Sequence, residues 1–298
     1  HSKTWALLGQ YLDQKRVPHA LLLSGAKGLG KYSLATQFAY SLLCSKLPNT
    51  GLYCEKCDSC LLIKAHTHPD FILIKPDEDK STLSINQIRQ LVADASLKPQ
   101  YASYRVVIIN PADGMTQSAA NAFLKCLEEP TERTVFILIT DKPHKLPVTI
   151  ASRCQKLQVT MPESEIMADW LNEQGIHENQ ETLLNLAKNS ILTTQQITNP
   201  ALLKQRTECF TDWMAIAKHS SFPAIISEKW HKLPDAVLIN WLISWVVDLT
   251  KSCLRVNQAQ LCNQDIGNAT QELAQRLNLK GLYGLYDHLL TSRRQLDT

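Results

Sequence analysis

Four cysteines fall within seventeen residues: Cys44, then Cys54-x-x-Cys57-x-x-Cys60. A Cys-x-x-Cys step lets two thiolates grip one tetrahedral ion, and two more cysteines close a four-sulfur shell. A closed shell leaves no position for water, so the expected role is structural, with zinc as the ion. Such sites contribute on the order of 10 kcal/mol of local folding free energy. His66 and His68 are alternatives to Cys44 as the fourth ligand, although His68-Pro69-Asp70 reads as a turn into the next strand. Reduced thiols without metal are the bland alternative. The chain holds nine cysteines, an odd and clustered set that favours metal over disulfides in a cytosolic protein. Cys126, Cys154, Cys209, Cys253 and Cys262 are scattered and read as small core residues.

A second constellation is Leu21-Leu-Leu-Ser24 running into Gly25-Ala-Lys-Gly28-Leu-Gly30-Lys31-Tyr32. Strand, glycine-rich loop and helix N-terminus together let backbone N–H groups cradle phosphates, with Lys31 reaching the outer ones. The position after the lysine normally carries a Ser or Thr hydroxyl for Mg²⁺, and here it is Tyr32. Ser33 cannot replace it, because one helical residue turns the side chain by about 100°. The other half of such a site is an acidic pair at the end of a later strand, one acid for the metal and one for the attacking water. The matching strand, Val106 to Ile109, ends in Asn110-Pro111-Ala112-Asp113. Asn110 is neutral, Pro111 has no functional side chain, and Asp113 is too far along, a turn or N-cap residue. Hydrolysis in this site is therefore not expected; the glycines and Lys31 leave nucleotide binding open.

These residues need a scaffold, and the first half of the chain supplies strand–helix alternation. Strands are expected at Ala20–Ser24, Phe71–Lys75, Arg105–Ile109, Val135–Thr140 and Gln155–Val159, several of them unbroken Val/Ile/Leu runs suited to burial on both faces of a parallel sheet. Helical patterns occupy Gly30–Cys44, Ile85–Ala95 and Gln117–Glu129, the last with Ala120, Phe123, Leu124 and Leu127 on one face and Pro130 as its stop. The pattern argues for a doubly wound α/β domain. After Met161-Pro162 the β signal ends. Glu163 to about Gln205 reads as a small helical unit with Trp170, Leu171, Leu183, Leu184 and Leu186 in its core. From Thr207 the pattern is all-helical, with Trp241, Leu242, Trp245, Val246 and Leu249 at helical spacing.

Composition narrows the class. Apolar residues make up 44% and charged residues 20% of the chain, as in soluble globular proteins. No Arg- or Ser-rich leader or signal-type apolar run is evident, and Ala236 to Val247 is too short and too interrupted by Asn240 and Ser244 to span a bilayer. A cytoplasmic protein without membrane attachment is expected. Net charge is +3, with 19 Lys/Arg against 13 Asp/Glu in residues 1–160. That excess is far from the basic stripe of a dedicated DNA binder.

Taken together, Val17-Pro-His-Ala-Leu-Leu-Leu-Ser-Gly25, the four-cysteine insert, His68-Pro-Asp70, Asn121-Ala-Phe-Leu-Lys-Cys-Leu-Glu-Glu-Pro130 and Ser152-Arg-Cys154 resemble the bacterial clamp-loader AAA+ family. The motifs cover about residues 17–160; the remainder matches only as helical domains of suitable length. The resemblance implies a RecA-like AAA+ parallel-sheet domain over residues 1–160 with a zinc module at about 44–60, a helical lid over 161–206 and an all-α collar over 207–298 that joins subunits into a ring. In that family the gamma/tau motor subunits hydrolyse ATP at subunit interfaces, open the sliding clamp and place it on primed DNA. Tyr32, Asn110 and Pro111 depart from the motor pattern, which implies a largely non-hydrolysing DNA polymerase III subunit that assembles with gamma/tau and delta.

Residue roles follow from the same resemblance. The arginine of Ser-Arg-Cys, here Arg153, acts in trans as an arginine finger on a neighbour's ATP, so ATP and Mg²⁺ belong to the neighbouring site. Without the family pattern Arg153 reads as a surface or ion-paired arginine. Thr140 matches the sensor position near the γ-phosphate. Gly25, Gly28, Gly30, Lys31 and Thr140 then form a degenerate nucleotide site. The alternatives are an active gamma/tau-like ATPase, which would turn over ATP alone, and a zinc-containing nucleic-acid-binding module. The cysteine segment, with Glu55, Lys56 and Asp58 and only Tyr53 as an aromatic, is poorly suited to the latter.

Overall fold

The computed structural model describes residues 2–14, 16–48, 51–77, 80–177, 180–188 and 199–296. They divide into two compact units, His1–Met161 and Pro162–Thr298. In the first, β1 (Ala20–Ser24), β2 (Phe71–Ile74), β3 (Arg105–Ile109), β4 (Thr134–Thr140) and β5 (Gln155–Gln158) form one parallel sheet in the order β2-β3-β4-β1-β5. Six α-helices accompany the described strands: α1 (Ser2–Asp13), α2 (Lys31–Leu43), α3 (Asp58–Lys64), α4 (Ile85–Ala95), α5 (Gln117–Glu128) and α6 (Val148–Ala151). This is the parallel α/β arrangement that the strand–helix alternation implies.

Why the strands are so apolar is visible in the packing. Successive residues of a strand leave on opposite faces. Leu22, Val107, Phe136 and Leu138 meet Ile88 and Leu91 of α4 and Ala120 and Phe123 of α5. Leu21, Leu23, Val106 and Ile137 meet Leu8 and Leu12 of α1 and Leu34 and Phe38 of α2 on the other side. Phe123 and Phe136 pack edge to face with centroids 5.2 Å apart. Both faces are covered, so β1, β3 and β4 carry no polar alternation. β5 differs: Leu157 is its one buried residue, as suits a polar edge strand. Helix α4 starts on a capping box, Ser84 accepting from the Gln87 N–H while the Gln87 side chain accepts from the Ser84 N–H.

The second unit is all-helical among the described residues: α7 (Ser164–Glu173), α8 (Gln180–Lys188), α9 (Pro200–Ala217), α10 (Pro223–Trp230), α11 (Asp235–Cys253), α12 (Gly267–Ala274) and α13 (Leu279–Leu296). Residues 189–198, part of the expected lid, lie outside the described residues. Helix α9 runs unbroken through residues 206 and 207, where the lid–collar boundary was expected. Arg206 is itself buried and ion-paired to Asp265 at 2.7 Å. Leu171, Leu183 and Leu186 are buried as expected, while Trp170 and Leu184 are half-buried.

Helix α11 is the spine of this unit, burying Trp241, Trp245, Val246 and Leu249, with Leu242 half-buried. The Trp245 ring meets Phe210 at 5.2 Å and Trp213 at 5.5 Å. By length and apolarity α11 reaches the threshold of a membrane span. Its buried Asp248, however, accepts the backbone N–H groups of Cys262 and Asn263, both at 2.8 Å, and the Asn263 amide at 2.7 Å. An anion with three donors to satisfy it marks a core helix. Cys126, Cys154, Cys209 and Cys262 are buried, as small core residues should be, whereas Cys253 is partly exposed.

Candidate nucleotide site and metal centre

Ser24 pairs with Thr140 across β1 and β4, so the glycine loop and the residues just past β4 emerge side by side at the carboxyl edge of the sheet. This is where ligands sit in open α/β folds. Gly28 and Gly30 have φ of 83° and 70°, a left-handed backbone that favours glycine. Gly25 has another reason to be glycine: a Cβ there would lie 2.3 Å from the Val159 carbonyl oxygen. The close approach lets the Val159 N–H donate to the Ser24 carbonyl at 2.7 Å.

Lys31 does not face outward. It is 4% exposed and donates to the carbonyls of Gly25 (2.8 Å) and Ala26 (2.6 Å). Its third partner is Asp141 Oδ1 at 2.6 Å. Thr140 is likewise engaged, donating to Asp113 Oδ1 at 2.6 Å and accepting from the Lys142 N–H. Asp113 sits in a 3-10 turn, Ala112–Gly114, and tethers Thr140. Asn110 donates its N–H to the Ile74 carbonyl and precedes a cis bond to Pro111. Tyr32 is 42% exposed. Asp141 was not singled out from the sequence. Its place one residue beyond a strand next to β1 is the signal that identifies it.

Arg153 lies elsewhere. It follows α6 and precedes β5, and Gln155 pairs with Leu21 near the start of β1. Three strand steps at about 3.3 Å each put roughly 10 Å of sheet between that level and the loop end of β1. Arg153 is thus at the amino edge, opposite its own phosphate loop. It donates to the Thr149 carbonyl at 2.9 Å and to Glu128 Oε1 at 2.8 Å. Arginine and glutamate are 37% and 50% exposed.

The four cysteines converge. Their sulfurs all lie within 4.8 Å of one another, with Cys44–Cys57 and Cys54–Cys60 each at 3.9 Å, far beyond the ~2.05 Å of a disulfide. The set could hold a metal ion. Cys44 follows the last residue of α2, and Cys57 and Cys60 lie at the N-cap and first turn of α3. The Cys54 N–H points at Cys44 Sγ and the Cys57 N–H at Cys54 Sγ, both 3.4 Å. Burial pushes the Cys57 thiol up, but hydrogen bonds from Ser45 and the Cys60 backbone outweigh it and bring it to about 5. Residues 49 and 50 of the insert lie outside the described residues.

His68 is not in the sulfur set. Its Nδ1 accepts the Asp70 N–H at 3.1 Å, which leaves the proton on Nε2. That proton goes to Ser59 Oγ at 2.9 Å, and Ser59 donates on to the Leu43 carbonyl at 2.6 Å. The serine–histidine pair is therefore no nucleophile and base: Nε2 is a donor, and both side chains are buried. Burial holds His68 below the ordinary imidazole pKa against the pull of Asp70. The relay instead ties the residue before Cys44 to the residue before Cys60. Ser59 carries no sequence signal for this role.

Asp70 anchors the other end. Its carboxylate accepts the N–H groups of Gln100, Tyr101 and Ala102 at 2.7–2.9 Å and the Arg105 guanidinium at 3.2 Å. Arg105 also donates to the carbonyls of Asp94, Leu97 and Lys98. Burial raises the Asp70 pKa, but the three N–H groups and Arg105 outweigh it and hold the carboxyl below the usual range. A depressed folded pKa gives stability that is present above the unfolded value of about 3.9 and lost as pH falls through the folded value. Asp70→Asn should therefore cost about 3 kcal/mol at pH 7, as for a broken buried pair, and should flatten the acid limb of the unfolding profile. Circular dichroism melts of both proteins across pH 2–7 check this; parallel profiles would refute it.

A family profile described as DNA polymerase III, delta subunit, matches residues 1–163, and one described as DNA polymerase III, delta subunit, C terminal, matches residues 200–298. The DNA polymerase III subunit delta' of Pseudomonas aeruginosa is 30% identical over 295 residues, 98% of this chain and 89% of that protein. The subunit of the same name from Escherichia coli K12 is 28% identical over 93% of this chain and 83% of its own length. DNA polymerase III subunit tau of Bacillus subtilis is 35% identical over 162 residues, 54% of this chain and 28% of that protein. The chain belongs to the DNA polymerase III delta-subunit family, and within it to the delta-prime subunits.

Proposed function

We propose that this chain is a non-hydrolysing subunit of the DNA polymerase III clamp loader, a cytoplasmic protein that assembles with gamma/tau and delta subunits to place the sliding clamp on primed DNA. Family membership supports the assembly. The observation that carries the mechanism is the position of Arg153 on the sheet edge opposite its own phosphate loop. From there a partly exposed guanidinium serves only a phosphate brought by another subunit. Its planar, permanent charge suits the γ-phosphoryl group, and exchanging Glu128 for phosphate costs little because exposed ion pairs are worth at most about 1 kcal/mol. The chain's own loop has no acid pair and no Mg²⁺ hydroxyl, so ATP and Mg²⁺ belong to the neighbour's site.

The four thiolates hold zinc in this reading. A tetrahedral shell with zinc–sulfur distances of about 2.3 Å has sulfur–sulfur edges of about 3.8 Å, close to the two 3.9 Å separations. Four ligands leave no open position, so the ion joins the end of α2 to α3 and does no chemistry.

Arg153→Ala should leave the fold intact and lower ATP hydrolysis at one interface of the reconstituted ring by on the order of 10³-fold. Unchanged clamp-stimulated hydrolysis and loading would contradict the trans role. For the metal, the purified chain should release one zinc per chain to a chromogenic chelator after thiol modification and melt at lower temperature afterwards. Metal-free protein with four titratable thiols and an unchanged melt would rule zinc out.

A further inference from the structure

We propose that Asp141 is a built-in occupant of the phosphate loop, and that neutralising it turns the loop into a site for the polyphosphate of a nucleotide. A lysine ammonium has three N–H bonds and accepts nothing. In this chain all three have partners: the carbonyls of Gly25 and Ala26 and the Asp141 carboxylate, at 2.6–2.8 Å. Two of these acceptors are loop backbone and part of the loop's shape. Asp141 is the one anion, and its charge takes the place that a phosphate oxygen would fill.

The rest of the cradle is intact. β1 leads into the loop, Gly28 and Gly30 keep their left-handed conformation, and α2 begins at Lys31 with its N-terminus toward the loop. Lys31 is 4% exposed while Asp141 is 36% exposed. Solvent, or a ligand, therefore reaches the pair from the carboxylate side. An incoming phosphate meets a carboxylate first, and like charges repel at the point of entry. Asparagine at 141 removes that repulsion and the strongest competitor for the third lysine hydrogen. Tyr32 and Asn110 supply no Mg²⁺ ligand in either protein, so the gain should not require the metal. The inference stands apart from the trans role of Arg153, and either can fail without the other.

The test is calorimetric titration of ADP, with and without Mg²⁺, into the full chain carrying the natural sequence, Asp141→Asn, Asp141→Ser, and Lys31→Met combined with Asp141→Asn, each checked by thermal melting. Asp141→Asn or Asp141→Ser should bind ADP at least about tenfold more tightly than the natural chain, equally with and without Mg²⁺, and the gain should vanish with Lys31→Met. Equal affinity of the natural chain and the folded Asp141 variants, including no binding by any of them, would overturn the proposal. So would a gain that survives the loss of Lys31.

Discussion

Parallel pairing of β1 with β4 on one side and β5 on the other is the constraint on which the account depends. It aligns the ends of β1 and β4, so the glycine loop, Thr140 and Asp141 share one edge of the sheet. The same register places the residues before β5 at the opposite edge, and Arg153 with them. A parallel sheet in which β1 is flanked this way holds the glycine loop and Arg153 at opposite edges of one chain. Its own loop and its own arginine cannot meet on one phosphate. On the proposed function, a second subunit joins them.

At the carboxyl edge Lys31 and Thr140, the groups proposed to face a γ-phosphate, are already engaged. Lys31 has its three acceptors and Thr140 has Asp113. On the proposed reading, no single residue accounts for a silent site. Tyr32 removes a metal ligand, Asn110 and Pro111 remove the acids, and Asp141 supplies the charge that keeps a buried lysine paired, without which Lys31 would carry an uncompensated cation in the core. The four-cysteine cluster is a separate piece of construction. Cys44 follows α2, Cys54 lies in the loop before α3, and Cys57 and Cys60 sit at the start of α3, while the His68–Ser59–Leu43 relay and the Asp70 carboxylate join this cluster to β2 and to the loop before β3.

Much of this was legible in the residues. Buried parallel strands announce themselves as Val/Ile/Leu runs, and β1, β3 and β4 fall within one residue of their expected ends. The amphipathic helix Ile85–Ala95 lies where its spacing puts it. The edge strand β5 ends one residue earlier than expected, although Val159 still donates to the Ser24 carbonyl. Helix α1 escaped notice: Leu8 and Leu12 recur at helical spacing, but Gly9 interrupts it and no cap signal precedes it. Helix α9 continues through Arg206, across the expected lid–collar boundary, and no composition signal marks its course. The four-cysteine set was readable from spacing alone. Its outer shell was not, since Ser59 and His68 meet through the fold and the tautomer that makes them structural depends on the Asp70 N–H. The partners of Lys31 were hidden for the same reason: Asp141 lies 110 residues away in sequence and reaches the loop only through the β1–β4 register.

The central claim is a division of labour between an own site that is silent and an arginine that works next door. The direct measurement is ATP turnover by a ring reconstituted with gamma/tau, delta, clamp and primed DNA, in which only this chain is altered. Lys31→Met, which removes the loop's cation at similar volume, is compared with Arg153→Ala under identical conditions. The account predicts turnover unchanged by Lys31→Met and depressed by Arg153→Ala. Depression by Lys31→Met with no effect of Arg153→Ala would contradict it.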